Sequence, residues 1–167
     1  MNAVALLRSP SDHRRYILGD LGSLRLNGFF MRSATAETDL DSFTIERARW
    51  TTSSVVARGP LGEMGAFHAR TLGAGGRLTW LEGEYTVRRE QPLGETYALM
   101  HDDRRLALAT ARGWWGWGVK RPLTMQVYDA SDKALLLLLA FVVRTLANQH
   151  TSDAAATTVA TTPTYTG

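Results

Sequence analysis

The sequence predicts a mainly β fold, a closed antiparallel barrel whose strands surround one hydrophobic C-terminal helix. Three observations predict it. Short segments of period-two alternation follow one another from about residue 14 to residue 129, each bounded by turn residues. No strand–helix–strand rhythm breaks the series, which excludes a doubly wound parallel sheet. Ten consecutive apolar residues, Ala134 to Val143, then close the patterned region.

Ten or eleven strands can be read. "RRYILGD" and "GSLRLNGFFM" join through Asp20-Leu21-Gly22, and "SFTIERARW", "SSVVARG" and "GAFHARTL" follow, punctuated by Thr/Ser or Gly-Pro. "RLTWLEGEYTVRRE" divides into two strands at Glu82-Gly83. "ETYALMHDD" and "RRLALATARG" meet at an Asp102-Asp103 turn, and "WGVKR" and "LTMQVYD" complete the run. Leu106, Leu108 and Thr110 oppose Ala107, Ala109 and Ala111, while Leu123, Met125 and Val127 alternate with Thr124 and Gln126. Such alternation is what antiparallel strands covered on one side require. "TAETDLD", residues 35–41, reads as a loop.

The apolar run decides the centre of the fold. A membrane-spanning helix needs roughly 20 mostly apolar residues, whereas a run of about 10–14 belongs to a core helix. Arg144 ends the run, and Asp132 and Lys133 precede it. Leucine dominates it, where strands favour β-branched and aromatic residues. Asp129, Ser131 or Asp132 can cap the helix N-terminus, and Asn148 offers a stop. The expectation is a core helix over about 131–149, apolar all round its middle and therefore buried on every side. Its economical place is inside the barrel.

At 167 residues, 44% hydrophobic and 21% charged, the chain fits one globular domain, residues 1–150. After His150, "TSDAAATTVATTPTYTG" lacks the large apolar residues that offset ordering entropy, so 151–167 is expected to be a disordered tail. The net charge is only +3, with seventeen arginines among nineteen basic residues and sixteen acids. An anionic membrane surface is permitted as a partner, and nucleic acid is not excluded; charge alone demands neither. The absence of cysteine excludes disulfides, thiol nucleophiles and cysteine-ligated zinc. "MNAVALLRSP" lacks the basic and long apolar regions of a secretory signal, which leaves a cytoplasmic protein as the expectation.

"YILGDLGSLRL", "LTWLEGEYTVRRE" and "VYDASDKALLLLLAFVVRTLA", in that order, resemble the tubby C-terminal-like superfamily, which includes LURP-one-related proteins and phospholipid scramblases. The resemblance spans roughly residues 12–149. It implies a barrel of about twelve strands around a central helix. It also implies phosphoinositide headgroup binding by basic residues on the barrel exterior, although no individual position carries over. The acidic calcium-binding segment proposed for scramblases has no counterpart near the closing helix.

Catalytic and metal signals are weak. The histidines His13, His68, His101 and His150 are dispersed and lack ligand spacing. "GPLGEMG" lacks the lysine and Ser/Thr of a phosphate loop, "LGAGG" does not precede a helix, and no GxSxG occurs. No enzymatic activity, cofactor or metal is implied. Two features carry the functional reading. "RGWWGWGVKR" sets Trp114, Trp115 and Trp117 between basic residues: either a hairpin whose indoles cover the core, or an aromatic tip for a headgroup layer or for bases. The doublets Arg14-Arg15, Arg88-Arg89, Arg104-Arg105 and Lys120-Arg121 form an anion site if they converge, because guanidinium binds phosphate bidentately. The candidate lipid-binding set is therefore Arg88, Arg89, Trp114, Trp115, Trp117, Lys120 and Arg121. A nucleic-acid-binding or regulatory module, or a protein-interaction domain without a small ligand, is the alternative.

Overall fold

In the computed structural model, residues 2–27, 32–48, 54–70, 74–92, 94–111, 123–129 and 132–159 are described, with helix side chains through 149. Twelve strands form, ten of them where the sequence alternates. The first six are β1 (Asn2–Arg8), β2 (Arg15–Leu18), β3 (Gly22–Asn27), β4 (Ser33–Glu37), β5 (Ser42–Arg47) and β6 (Val55–Gly59). Then come β7 (Gly62–Ala69), β8 (Gly75–Trp80), β9 (Gly83–Arg89), β10 (Thr96–His101), β11 (Arg104–Ala111), β12 (Leu123–Val127) and the helix α1 (Lys133–Val159). Each strand pairs antiparallel with its neighbours in sequence, and β1 closes the ring between β2 and β12. The expected closed barrel with a helix inside is the observed architecture.

The register explains the alternation. Leu24 pairs with Ala36, Ala36 with Phe43, and Ile45 with Ala57, and all of these face inward and are buried. Every residue of the apolar run, Ala134 to Val143, is buried within the ring. The helix packs nearest to β3, β4, β11 and β12. On β4 and β11 the inward side chains are alanines, Ala34, Ala36, Ala107 and Ala109, which leave room for it. Phe43, Phe67, Leu78, Trp80 and Tyr97 point inward elsewhere in the ring and supply the remaining bulk. At Gly22 (φ +138°) a Cβ would stand 2.2 Å from the Glu37 carbonyl oxygen and 3.1 Å from a Leu137 methyl. Only glycine fits where the helix and β4 both come this close.

Three readings are corrected. The stretch 35–41 is not all loop: residues 35–37 complete β4, and a Thr38-centred turn follows, its Oγ1 accepting the Leu40 and Asp41 amides. The strand series, expected to begin at about residue 14, begins earlier, with residues 2–8 as β1. The helix continues to Val159 instead of stopping at Asn148, because a single asparagine is a weak break and Ala154–Ala156 favour helix. It thereby takes in residues 151–159 of the expected tail; 160–167 lie outside the described residues, as does the strand expected at "WGVKR". At 27 residues the helix is about 40 Å long, longer than the barrel's strands of 4–8 residues.

Asp132 is the cap among the three residues proposed. Its Oδ1 accepts the Ala134 and Leu135 amides at 2.9 and 3.1 Å, and its Oδ2 accepts the Trp80 indole N–H at 2.6 Å. Lys133 donates to Asp39 at 3.0 Å. These contacts fix where the helix enters the ring.

Candidate functional site: the arginine end of the barrel

In an up-and-down barrel, alternate connections lie at the same end. The turns β2–β3, β4–β5, β6–β7, β8–β9 and β10–β11 and the β12–α1 link share the end where the helix enters. The connections β1–β2, β3–β4, β5–β6, β7–β8, β9–β10 and β11–β12 share the other. The two ends differ sharply in charge.

Among the described residues, the entry-end connections and their flanking strand residues hold nine carboxylates: Asp20, Glu37, Asp39, Asp41, Glu82, Asp102, Asp103, Asp129 and Asp132. Two cations stand against them, Arg104 and Lys133, each paired with a carboxylate, Asp129 and Asp39, and Glu37 is paired at 3.0 Å with Arg15, which reaches it across the short β2 and β3. The opposite end, counted the same way, holds seven arginines: Arg8, Arg14, Arg15, Arg32, Arg47, Arg70 and Arg89. Three carboxylates accompany them there, Asp12, Glu90 and Glu95. Arg88, one position further along β9, projects from the outer wall near that end.

Strand geometry sets the direction of each arginine. Adjacent residues within a strand face opposite sides, so Arg88 and Arg89 diverge on β9, whereas Arg14-Arg15 and Arg104-Arg105, at strand starts, are exposed at both positions. Arg88 is exposed, 3.9 Å from the Glu90 carboxylate, which Arg105 engages at 2.9 Å. Arg89 instead shares the inward face with its cross-strand partner Tyr97 and donates from Nε to the Gly94 carbonyl. Burial raises the pKa of Tyr97, an effect that the nearby Arg89 charge opposes. Arg47, also inward on β5, has its pKa lowered by burial and then by the adjacent Arg32 charge.

Arg144, which ends the apolar run, reaches this same end from the helix. Its guanidinium lies over the Tyr16 ring, 4.9 Å from the centroid. Burial lowers its pKa, an effect that the Tyr16 hydroxyl opposes through charge interaction. Among the described residues, Arg47 Nε, one terminal nitrogen of Arg89, the Tyr16 hydroxyl and Glu90 Oε1 are buried with no hydrogen-bond partner. Such groups are rare. All four sit at the arginine end, two of them on guanidinium groups and one on a carboxylate.

The sequence-derived set is therefore only partly brought together. Arg88 and Arg89 both belong to this end, on opposite faces of β9. Trp114, Trp115, Trp117, Lys120 and Arg121 lie outside the described residues. The doublet Arg104-Arg105 starts β11 at the entry end, so the four doublets do not share one face. Arg8, Arg32, Arg47 and Arg70 were not singled out from the sequence, because each is an isolated arginine. No group of three or more His, Cys, Asp or Glu side chains able to hold a metal ion occurs among the described residues. Nor is any helix among them long and apolar enough to cross a membrane. Compared with protein-family models, curated proteins and solved structures, the chain gives no match in any of the three.

Proposed function

We propose that this is a non-enzymatic binding domain that docks, through the arginine end of its barrel, onto anionic phospholipid headgroups. The observation that carries this reading is the separation of charge along the barrel axis. A weak net charge of +3 conceals one strongly cationic end and one strongly anionic end. An anionic surface attracts the first and repels the second, so the reading specifies an orientation as well as a partner.

The magnitude is adequate. Each arginine near an anionic bilayer contributes on the order of 1 kcal/mol. Arg14, Arg32, Arg70 and Arg88 are exposed. Four such contributions correspond to roughly a thousandfold in affinity. The helix extends beyond the strands toward this end, so the docking face is the arginine-bearing rim beside it. Trp114, Trp115, Trp117, Lys120 and Arg121 join the proposed surface on their sequence alone, the indoles as headgroup-layer anchors. A twelve-stranded barrel around a helix is also what the tubby-like resemblance implies, and we propose a distant relationship to that superfamily. In this reading the protein is cytoplasmic and peripheral to the membrane.

Co-sedimentation with vesicles tests it. Wild type should pellet with phosphatidylserine-containing vesicles at low salt, release as salt screens the charges, and ignore pure phosphatidylcholine. R14E/R70E/R88E should abolish pelleting with circular dichroism unchanged. Failure of wild type to bind acidic vesicles at low salt, or unaltered binding of the triple variant, overturns the reading. A shifted nucleic-acid probe with no vesicle binding would put a nucleic-acid module in its place.

A further inference from the structure

The entry end carries a second surface that the arginine end does not explain. Leu40, Leu61 and Leu81 occupy the tips of the β4–β5, β6–β7 and β8–β9 hairpins and are 86, 104 and 65% exposed. Scattered exposed leucines are ordinary, but these three stand on successive turns of one mouth. Successive tips are two strands apart, about 10 Å, so the arc spans roughly 20 Å. Leu81 also sits at φ +51°, a left-handed conformation that disfavours a bulky side chain. The core gains nothing from any of the three.

Their surroundings select a partner. Asp39 and Asp41 flank Leu40, Glu82 follows Leu81, and Asp103 stands on the next turn, all exposed. Beside Leu40 a cavity of about 330 Å³ opens between residues 38–41 and 132–134; Asp39 on its wall is paired with Lys133 and Asp132 caps the helix, which leaves Asp41 as the carboxylate there outside these contacts. An anionic bilayer is repelled by this ring, and a second leucine end would set nine carboxylates against nine. We propose that the leucine end is a docking surface for a cationic, amphipathic segment of a partner protein. Apolar side chains of that segment cover the leucine arc, and its lysines or arginines meet the exposed carboxylates Asp41, Glu82 and Asp103. This is a helix-on-groove mode of recognition with charge supplying the specificity. With the arginine end on a membrane, the leucine end faces away from it and is open to such a partner.

A fluorescent model peptide of alternating leucine and lysine blocks at helical spacing is the probe, followed by anisotropy with the full chain. Wild type should bind it, with affinity falling as salt rises, and should not bind the same peptide with glutamate for lysine. L40S/L61S/L81S should bind about tenfold more weakly or less, since each lost leucine forfeits buried apolar area. D41N/E82Q/D103N should bind more weakly and flatten the salt dependence. Both variants should sediment with acidic vesicles as wild type does, which separates this proposal from the lipid reading. Equal binding of the peptide to wild type and the leucine variant would reduce the contact to non-specific charge attraction and overturn the proposal. Absence of binding at low salt also overturns it. Concentration-dependent self-association that the leucine variant loses would give the surface to a second copy of the chain instead of a partner.

Discussion

Replacing Asp132 with alanine should destabilise the fold more than a helix cap alone accounts for. In a free helix terminus the loss of an aspartate cap costs about 1 kcal/mol. Here the same carboxylate also accepts the indole N–H of Trp80, at 2.6 Å, and Trp80 is 2% exposed. Alanine leaves that donor buried and unpaired, at about 1–3 kcal/mol. The combined loss is about 2–4 kcal/mol. With a urea slope of about 2 kcal/mol per molar, the unfolding midpoint should fall by about 1–2 M. Asp132→Asn keeps one acceptor oxygen and should lose about half as much. In a double-mutant cycle with Trp80→Phe, the coupling should be about 1–2 kcal/mol, because both single changes break one shared bond. An Asp132→Ala midpoint within error of wild type, or zero coupling, would refute the claim that this bond ties the helix to β8.

Other consequences follow from the same geometry. Leu137→Asp places an unpaired carboxylate at a fully buried site against Gly22 and should leave no folded protein by near-ultraviolet circular dichroism. Leu137→Ala should fold with a loss of about 2–5 kcal/mol; a well-folded aspartate variant would put the residue on the surface. The hydrogen bond from Lys133 lowers the pKa of Asp39 below 3.8, partly opposed by desolvation. Its contribution is thus in place above about pH 4 and lost as pH falls through the depressed value. Lys133→Met should move the Asp39 titration upward in carboxyl-detected NMR, and an unmoved titration would discount the pair. Removing residues 153–167 should change the melting temperature by no more than about 2 °C, since the helix there has outrun the strands. A larger drop would show that this segment is docked.

How legible all this was depended on side-chain size. The strands with bulky alternation, β2, β3, β5 to β11 and β12, could be read directly, and so could the buried helix. β4 was lost because its inward residues, Ala34 and Ala36, are small where the helix comes near, and "SATAE" has no hydrophobic contrast. β1 was lost because the alternation of "NAVALLR" is blurred by alanines on its outer face. These omissions mattered for the site. Connections alternate between acidic and basic along the chain: Arg14, Asp20, Arg32, Asp39, Arg47, then Arg70, Glu82, Arg89 and Asp102. That alternation predicts a barrel with unlike ends only when the strand count has the right parity. With β4 missing, the parity breaks, and attention falls on adjacent arginine pairs, one of which, Arg88-Arg89, the strand splits between its two faces. The helix end was misplaced for a simpler reason, because Ala/Thr-rich sequence cannot form a core yet still continues a helix already nucleated.

The oriented docking of the arginine end is the central claim, and the chain's lack of cysteine makes it directly measurable. Single cysteines replacing Ser11, in the β1–β2 connection, or Leu61, at the opposite end, can each carry an environment-sensitive fluorophore. Both positions are exposed. With phosphatidylserine-containing vesicles at low salt, the probe at Ser11 should shift to the blue, and the probe at Leu61 should keep its aqueous spectrum. A shift at Leu61 alone, or no shift at either position, would contradict the account.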